Sequence, residues 1–472
     1  MFDNRALITD RIPELIRNLN RRQINFHSVL ITRNGETLYE EYREPFCADK
    51  PHRMYSVTKS FVAIAIGCLM DEGKLNLDDP ITGFFPDKLP KELPEEMRLQ
   101  TIRNMLMMST CLSGVNWFKP GVTDRTAYYF SQQPTHPAGT LFDYDSTGSY
   151  VLGALVERLS GMKLIDYMRI KFLDEIGGFE NAEILETPDG TAWGDSALLC
   201  TTRALERFAR FVMQDGSWNG KQLVNAGYVR QARSLRITNR QNGARLYNTF
   251  GYGYQIWLTE QGGFSFHGMG GQHAICLPDQ KLVFVITGDN QYNSMYAEIL
   301  YDEVFRALSP DNGAYPSKNG LFVADGGASS DFASEIDGAW FTCKPNRMEI
   351  KRFRFVFDGS SGVFEYENAQ GLKKLPFGFG HNVFEKFPQL GYSDQRGNVH
   401  DESSPFMYDC AVSGGWIEPK KLFLRVQIID RYLGSTMMTF GFLNRNVVGV
   451  RMDKVAEDFL TEYYGWIGAY RA

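Results

Sequence analysis

Tyr55-Ser56-Val57-Thr58-Lys59-Ser60-Phe61 opens a stretch that turns apolar at Phe61 and stays so through Met70. A serine at the head of an apolar helix lies beside backbone N–H groups that lack helical acceptors, at the positive end of the helix dipole. A lysine three residues later sits one turn along the same face, so its nitrogen can reach the hydroxyl. An uncharged amine held there can take the serine proton and leave a competent nucleophile. Spacing alone decides little, because Ser160-Gly161-Met162-Lys163 repeats the Ser-x-x-Lys form. That copy ends a helix at a glycine, where a solvated lysine is expected. The copy at Ser56 begins one.

Outward from this stretch the pattern is mixed. Upstream, residues 7–22 read as a helix, with Ile12, Leu15, Ile16 and Leu19 at helical spacing. Asn34-Gly35 between the strand-like runs 28–32 and 37–42 predicts a hairpin. Downstream, the helix from Ser56 should stop near Gly73. Thr101–Met108, Ser149–Ser160 and the segment from Thr202 read as further helices, and Gly251–Trp257 and Leu282–Thr287 as strands. Helices mixed with antiparallel hairpins give an α+β class. Residues 309–331 are rich in Ser, Pro, Asn, Asp and Gly, the profile of a linker. Beyond them short strand-like runs recur, at 348–357, 421–429, 435–442 and 447–452. The chain therefore divides into 1–308, a linker at 309–331, and an all-β unit at 332–472, a barrel or sandwich of roughly eight strands. Such a linker implies that residues 1 to about 310 fold alone. The aromatics Phe353, Phe355, Phe357, Tyr463, Tyr464 and Trp466 are expected in the β-unit's core.

Composition narrows the function classes. The formal charge of the 472 residues is -6, with no basic stripe, which argues against a nucleic-acid partner. The longest apolar run, Phe61–Met70, falls far short of the ~20 residues that span a bilayer. The N-terminus carries charges throughout and no leader-like apolar core. Seven scattered cysteines, an odd number, suit free thiols in a reducing compartment, so a cytoplasmic location is expected. The seven histidines have no carboxylate or cysteine partners at ligand spacing, and no metal or cofactor is expected. Gly268-Met269-Gly270-Gly271 lacks the Lys-Ser/Thr of a phosphate loop.

Four segments in order resemble the class C β-lactamase-like and penicillin-binding-protein-like serine hydrolases. Ser56-Val-Thr-Lys59, followed by Gly73-Lys-Leu-Asn-Leu-Asp-Asp-Pro80, is similar to their opening. Thr101-Ile-Arg-Asn-Met-Leu106 resembles their next helix. Tyr144-Asp145-Ser146, within 137–153, resembles the second motif, usually Tyr-Ser-Asn or Tyr-Ala-Asn. His267-Gly268-Met269 falls where the third motif, Lys-Thr-Gly or His-x-Gly, belongs. The resemblance spans 25–305 and implies a transpeptidase-like fold, an antiparallel sheet flanked by helices. It implies Ser56 as the acylated nucleophile, Lys59 as its base and Tyr144 as proton shuttle. The backbone N–H groups of Ser56 and Gly270 would form the oxyanion hole.

Two departures bear on substrate. Ser146 stands where the family has Asn, so the amide that holds an acylamino carbonyl is missing. His267 replaces the lysine that helps bind a β-lactam carboxylate. Both are substrate-binding positions, and both turn the reading from β-lactamase toward the esterase, D-peptidase and 6-aminohexanoate-dimer-hydrolase-like branches. The expected partner is a small ester, amide or peptide. The alternative is a penicillin-binding or sensor protein that is acylated by peptidoglycan-like ligands without efficient turnover. Oligomeric state is not legible from the sequence.

Overall fold

The computed structural model describes residues 4–240, 249–308, 320–390 and 406–472, with side chains from residue 10. Six helices position the first unit: α1 (Asn4–Arg21), α2 (Thr58–Asp71), α3 (Arg125–Phe130), α4 (Ser146–Ser160), α5 (Thr202–Met213) and α6 (Tyr296–Leu308). Its central sheet contains β1 (Phe26–Arg33), β2 (Glu36–Tyr42), β3 (Trp257–Leu258), β4 (Phe264–Gly268), β5 (Gln272–Leu277) and β6 (Leu282–Gly288). The strand order is β2-β1-β6-β5-β4-β3, antiparallel throughout. The β1–β2 turn has φ of 53° at Asn34 and 82° at Gly35, the left-handed pair that an Asn-Gly hairpin turn requires.

Sheet residues alternate between two cores, as the period of two dictates. Val29, Ile31, Phe284 and Ile286 meet α1 and α6 through Leu15, Leu19, Leu300 and Val304. Leu30, Val283, Val285 and Phe266 face the other way, toward α2 and α5. Helix α2 is buried on every side from Thr58 to Leu69, which is why its sequence is apolar all round rather than striped. It carries Lys59 into the interior.

Two elements differ from the sequence expectation. Residues 251–257 are not a strand. Tyr252 makes isolated bridges to Ile237 and Trp257, and only Trp257–Leu258 joins the sheet. Gln255 has φ 57° and reverses the chain there, while its amide donates to the carbonyls of Met105 and Leu106. The apolar residues of this segment, Tyr252, Tyr254 and Ile256, are buried in a loop. The helix expected at 101–108 covers only Ile102–Leu106, capped by the Thr101–Asn104 box and followed by Met108 at φ 55°.

Among the described residues, the second unit holds ten strands between Phe341 and Arg471. Nine close into a barrel, sealed by parallel pairing of Gly378 with Ser413 and Phe379 with Gly414, and Val383–Lys386 adds an outer edge. Phe353, Phe355, Phe364, Phe377, Leu424, Phe440 and Ile467 fill the interior. Two of the aromatics expected in this core lie elsewhere. Tyr464 is exposed, and Trp466 leaves the barrel face to stack on His136 of the first unit, with ring centroids 4.2 Å apart. Residues 309–319 of the expected linker lie outside the described residues. The rest of it runs along the barrel, where Ala324 N–H donates to Ser413 Oγ and Gly327 bridges to Trp416.

The two units meet broadly. Lys344 and Tyr470 both bind the carboxylate of Glu96, Glu418 accepts from the Thr238 N–H, and Arg451 lies 3.8 Å from Asp143. Thr140 is seated directly against the barrel. A Cβ on Gly441 would collide with its carbonyl oxygen, and one on Gly449 with its hydroxyl. The barrel thus braces the segment that leads into Tyr144.

Candidate active site

Ser56 sits in a single 3₁₀ turn, Tyr55–Val57, that feeds α2. Tyr55, just before it, holds φ 47°, a left-handed conformation that costs a non-glycine residue about 1–3 kcal/mol. Neighbours enforce it. The Thr58 hydroxyl donates to the Tyr55 carbonyl at 2.6 Å and accepts from Leu198 N–H at 3.1 Å, and the Arg53 guanidinium lies 4.9 Å from the Tyr55 ring centre. On the far side β4 comes so close that any side chain at Gly268 would meet the Met54 carbonyl. The Ser56 turn and β4 thus approach each other backbone to backbone.

Lys59 is 1 % exposed. Its Nζ donates to Ser56 Oγ at 2.9 Å and to the Asp195 carbonyl at 2.8 Å, with Asp195 Oδ2 at 3.9 Å. Burial pushes the Asp195 carboxyl above the ordinary aspartate range, and the Lys59 and Arg125 cations pull it back in part. Asp195 Oδ1 is buried without a hydrogen-bond partner. Sequence reasoning missed this residue. It lies in Trp193-Gly194-Asp195-Ser196, 136 positions from Lys59, with no spacing or periodicity to announce it.

Tyr144 joins this pair. Its ring centre is 5.2 Å from Lys59 Nζ, and the residue is 37 % exposed, open to an incoming molecule. Asp145 caps α4 by accepting from the Thr147 and Gly148 N–H groups, which fixes the backbone at the tyrosine. Tyr144 stacks on Trp257 (5.4 Å), which stacks in turn on His267 (5.0 Å). Ser146 opens α4 and, with Trp117, Phe118 and Tyr144, lines a cavity of 230 Å³. Gly270, at φ 84°, lies in the turn that follows β4.

His267 occupies the third-motif position, but its Nε2 is shared between Ser265 and Tyr301. Burial, reinforced by His273, holds its pKa well below the usual histidine value. It is neutral at pH 7 and supplies none of the charge a lysine would bring. Its link to Tyr144 runs through the Trp257 ring. The second Ser-x-x-Lys copy is elsewhere: α4 ends at Ser160, and Lys163 is half exposed and paired with Glu186. Among the described residues, no three His, Cys, Asp or Glu side chains are grouped to hold a metal, and no helix is long and apolar enough to cross a membrane. All seven cysteines are free thiols, five of them buried.

The Beta-lactamase family model matches residues 12–308. The 6-aminohexanoate-dimer hydrolase of Paenarthrobacter ureafaciens is 25% identical over 300 residues, 59% of this chain and 76% of its own. Esterase EstB of Burkholderia gladioli is 27% identical over 195 residues, 35% of this chain and 50% of its own. Among solved structures, SurE covers 99% of both chains at a TM-score of 0.55 and 16% identity. The octameric penicillin-binding protein homologue of Pyrococcus abyssi covers 97% of this chain and 99% of its own, at 0.53 and 16%. At such identities these two likenesses speak to fold, and they extend over both units.

Proposed function

The chain belongs to the Beta-lactamase family, and from that premise we propose that it hydrolyses an ester or amide through an acyl-enzyme on Ser56. The observation that carries the reading is the 2.9 Å approach of a buried lysine nitrogen to the Ser56 hydroxyl. Lys59 acts as the base once it has given up its own proton, and takes the hydroxyl proton as Ser56 Oγ attacks the substrate carbonyl. The negative charge that develops on the carbonyl oxygen is met by the N–H groups of Ser56 and Gly270. Tyr144, above Lys59, passes a proton to the departing alcohol or amine, and water then attacks the acyl group, releasing the acid and restoring the serine.

The neutral His267 and the Ser146 hydroxyl both favour simple esters or amides over β-lactams. The names of the two sequence relatives, a 6-aminohexanoate-dimer hydrolase and an esterase, agree with that preference. A fluorophosphonate probe followed by peptide mass spectrometry tests the reading. The label is expected on Ser56 and absent from Ser56→Ala. Labelling that survives this substitution would remove the proposed nucleophile. With an ester in place of the probe, an acyl group that stays on Ser56 without release would instead identify a sensor.

A further inference from the structure

Arg125, the first residue of α3, is 7 % exposed. Its guanidinium carbon lies 4.7 Å from the Trp193 ring centre, 5.0 Å from Trp117, 5.3 Å from Phe118 and 5.9 Å from Tyr150. Aromatic faces soften the burial of a cation, but they do not accept the N–H bonds that lie in the guanidinium plane. Arg125 Nε and Nη1 are sealed from water and have no hydrogen-bond partner. The Nε1 of Trp193, a wall of the same cage, is likewise buried and unpartnered. Three donor nitrogens of this cage therefore lack a partner, against a single unpartnered acceptor, Oδ1 of the Asp195 on which Arg125 acts.

The charges around this place do not balance. Trp193 is flanked by a second guanidinium, Arg53, at 4.9 Å, whose Nε donates to the neutral Ser196 carbonyl. Lys59 and Arg125 both act on Asp195, a single carboxylate. The acidic groups of the neighbouring cavity are engaged elsewhere. Asp143 faces Arg451, and Asp145 caps α4 and accepts from the Thr147 and Thr110 hydroxyls. Trp117 and Phe118 belong both to the Arg125 cage and to the wall of the cavity beside Tyr144 and Ser146. Phe118 is 69 % exposed, an open ring on the wall that the two spaces share.

We propose that Arg125 and Trp193 form a carboxylate-binding subsite, and that the substrates are esters or amides whose acyl part carries an anionic group. This deepens the acyl-Ser56 reading and rests on it. An anion seated here accepts from the orphaned nitrogens and offsets the excess cation, work that neutral His267 cannot do.

The test compares kcat/KM for the mono-p-nitrophenyl ester of glutarate with that for p-nitrophenyl pentanoate, equal chains that differ by a carboxylate in place of a methyl. The unmodified protein is expected to favour the glutarate ester by about tenfold or more, as a charge-assisted hydrogen bond allows. Arg125→Met should bring that ratio to about one, Arg125→Lys should keep part of it, and Trp193→Phe, which deletes only the indole N–H, should lower it. A folding defect depresses both rates and leaves the ratio alone, so the ratio isolates the subsite. On the unmodified protein, glutarate should also slow fluorophosphonate labelling of Ser56 more than pentanamide does. A wild-type ratio at or below one, or a ratio unchanged in Arg125→Met, overturns the subsite while leaving the acyl-serine reading intact. Failure of every ester and of the probe to modify Ser56 overturns both.

Discussion

Replacing Lys59 by methionine should do two separable things, because the lysine is the proposed base and also one half of a buried ion pair. As a base its loss is expected to slow acylation of Ser56 by orders of magnitude. As an ion its loss strands Asp195, whose Oδ2 lies 3.9 Å from Nζ. At that distance, and an effective dielectric of about 20, the attraction is about 4 kcal/mol, within the range of about 3–5 kcal/mol typical when a buried pair loses one partner. The penalty depends on pH, with a definite sign. Burial already raises the Asp195 carboxyl above its ordinary value of 3.8, and without Lys59 it rises further. Well below 3.8 the group is protonated whether the chain is folded or not, and the variant is penalised only through packing. As pH climbs past that value the unfolded chain ionises while the folded one keeps its proton. Stability then falls by about 1.4 kcal/mol per pH unit, until the folded carboxyl ionises too. Urea unfolding followed by tryptophan fluorescence, at about pH 5 and about pH 8, measures this directly. Lys59→Met/Asp195→Asn should regain most of the lost stability and flatten the pH dependence, yet stay inactive. Equal stability of Lys59→Met and wild type at about pH 8, or a slope unmoved by Asp195→Asn, would refute the ion-pair reasoning.

Tyr144→Phe keeps the stack on Trp257 and removes one oxygen, so turnover should fall by about 10²–10⁴ with the melting temperature little changed. Ser160→Ala and Lys163→Ala should leave fluorophosphonate labelling and ester turnover at wild-type levels, which a labelling time course checks. Cephalosporin hydrolysis should show a lower kcat/KM than p-nitrophenyl ester hydrolysis, since Ser146 and His267 lack the amide and the charge; the reverse order would contradict that account. Gly441→Val pushes a side chain into the Thr140 carbonyl and should cost about 1–3 kcal/mol in urea unfolding. If the barrel holds the Tyr144 segment in place, the same variant should also lower kcat; a loss of stability without any change in kcat would deny the barrel that role.

The sequence made some parts of this protein visible and hid others for physical reasons. Local chemistry was legible: the Asn34-Gly35 turn, the apolar run of α2 behind Ser56, and the proximity of Lys59 follow from dihedral preference and helical spacing. The ordered motifs were enough for the sheet-and-helix fold, and the strand-like runs after residue 340 for a barrel or sandwich. Long-range partners left no trace. Asp195 and Arg125 are an ordinary acid and base in their local sequence, and only folding brings Asp195 to Lys59 and sets Arg125 where it acts on Asp195. Residues 251–257 misled because burial in a loop and burial in a strand select the same apolar side chains, and Gln255 carries no mark of its left-handed conformation. Trp466 misled in the opposite sense, since an aromatic that caps a neighbouring unit looks like one that fills a barrel.

The sheet order also sets a timetable for synthesis. β1 hydrogen-bonds to β6, with Phe26 opposite Gly288 and Arg33 opposite Leu282, so the N-terminal hairpin has no inner neighbour until some 250 further residues have left the ribosome. At about 5–20 residues per second that interval is roughly 12 to 50 s. Throughout it the chain displays Val29, Leu30 and Ile31, side chains that end fully covered, on a two-stranded ribbon too small to be stable alone. Substitutions in β1 and β2 should therefore register first in the yield of soluble protein and in its dependence on chaperones, before they register in the melting temperature of the molecules that do mature.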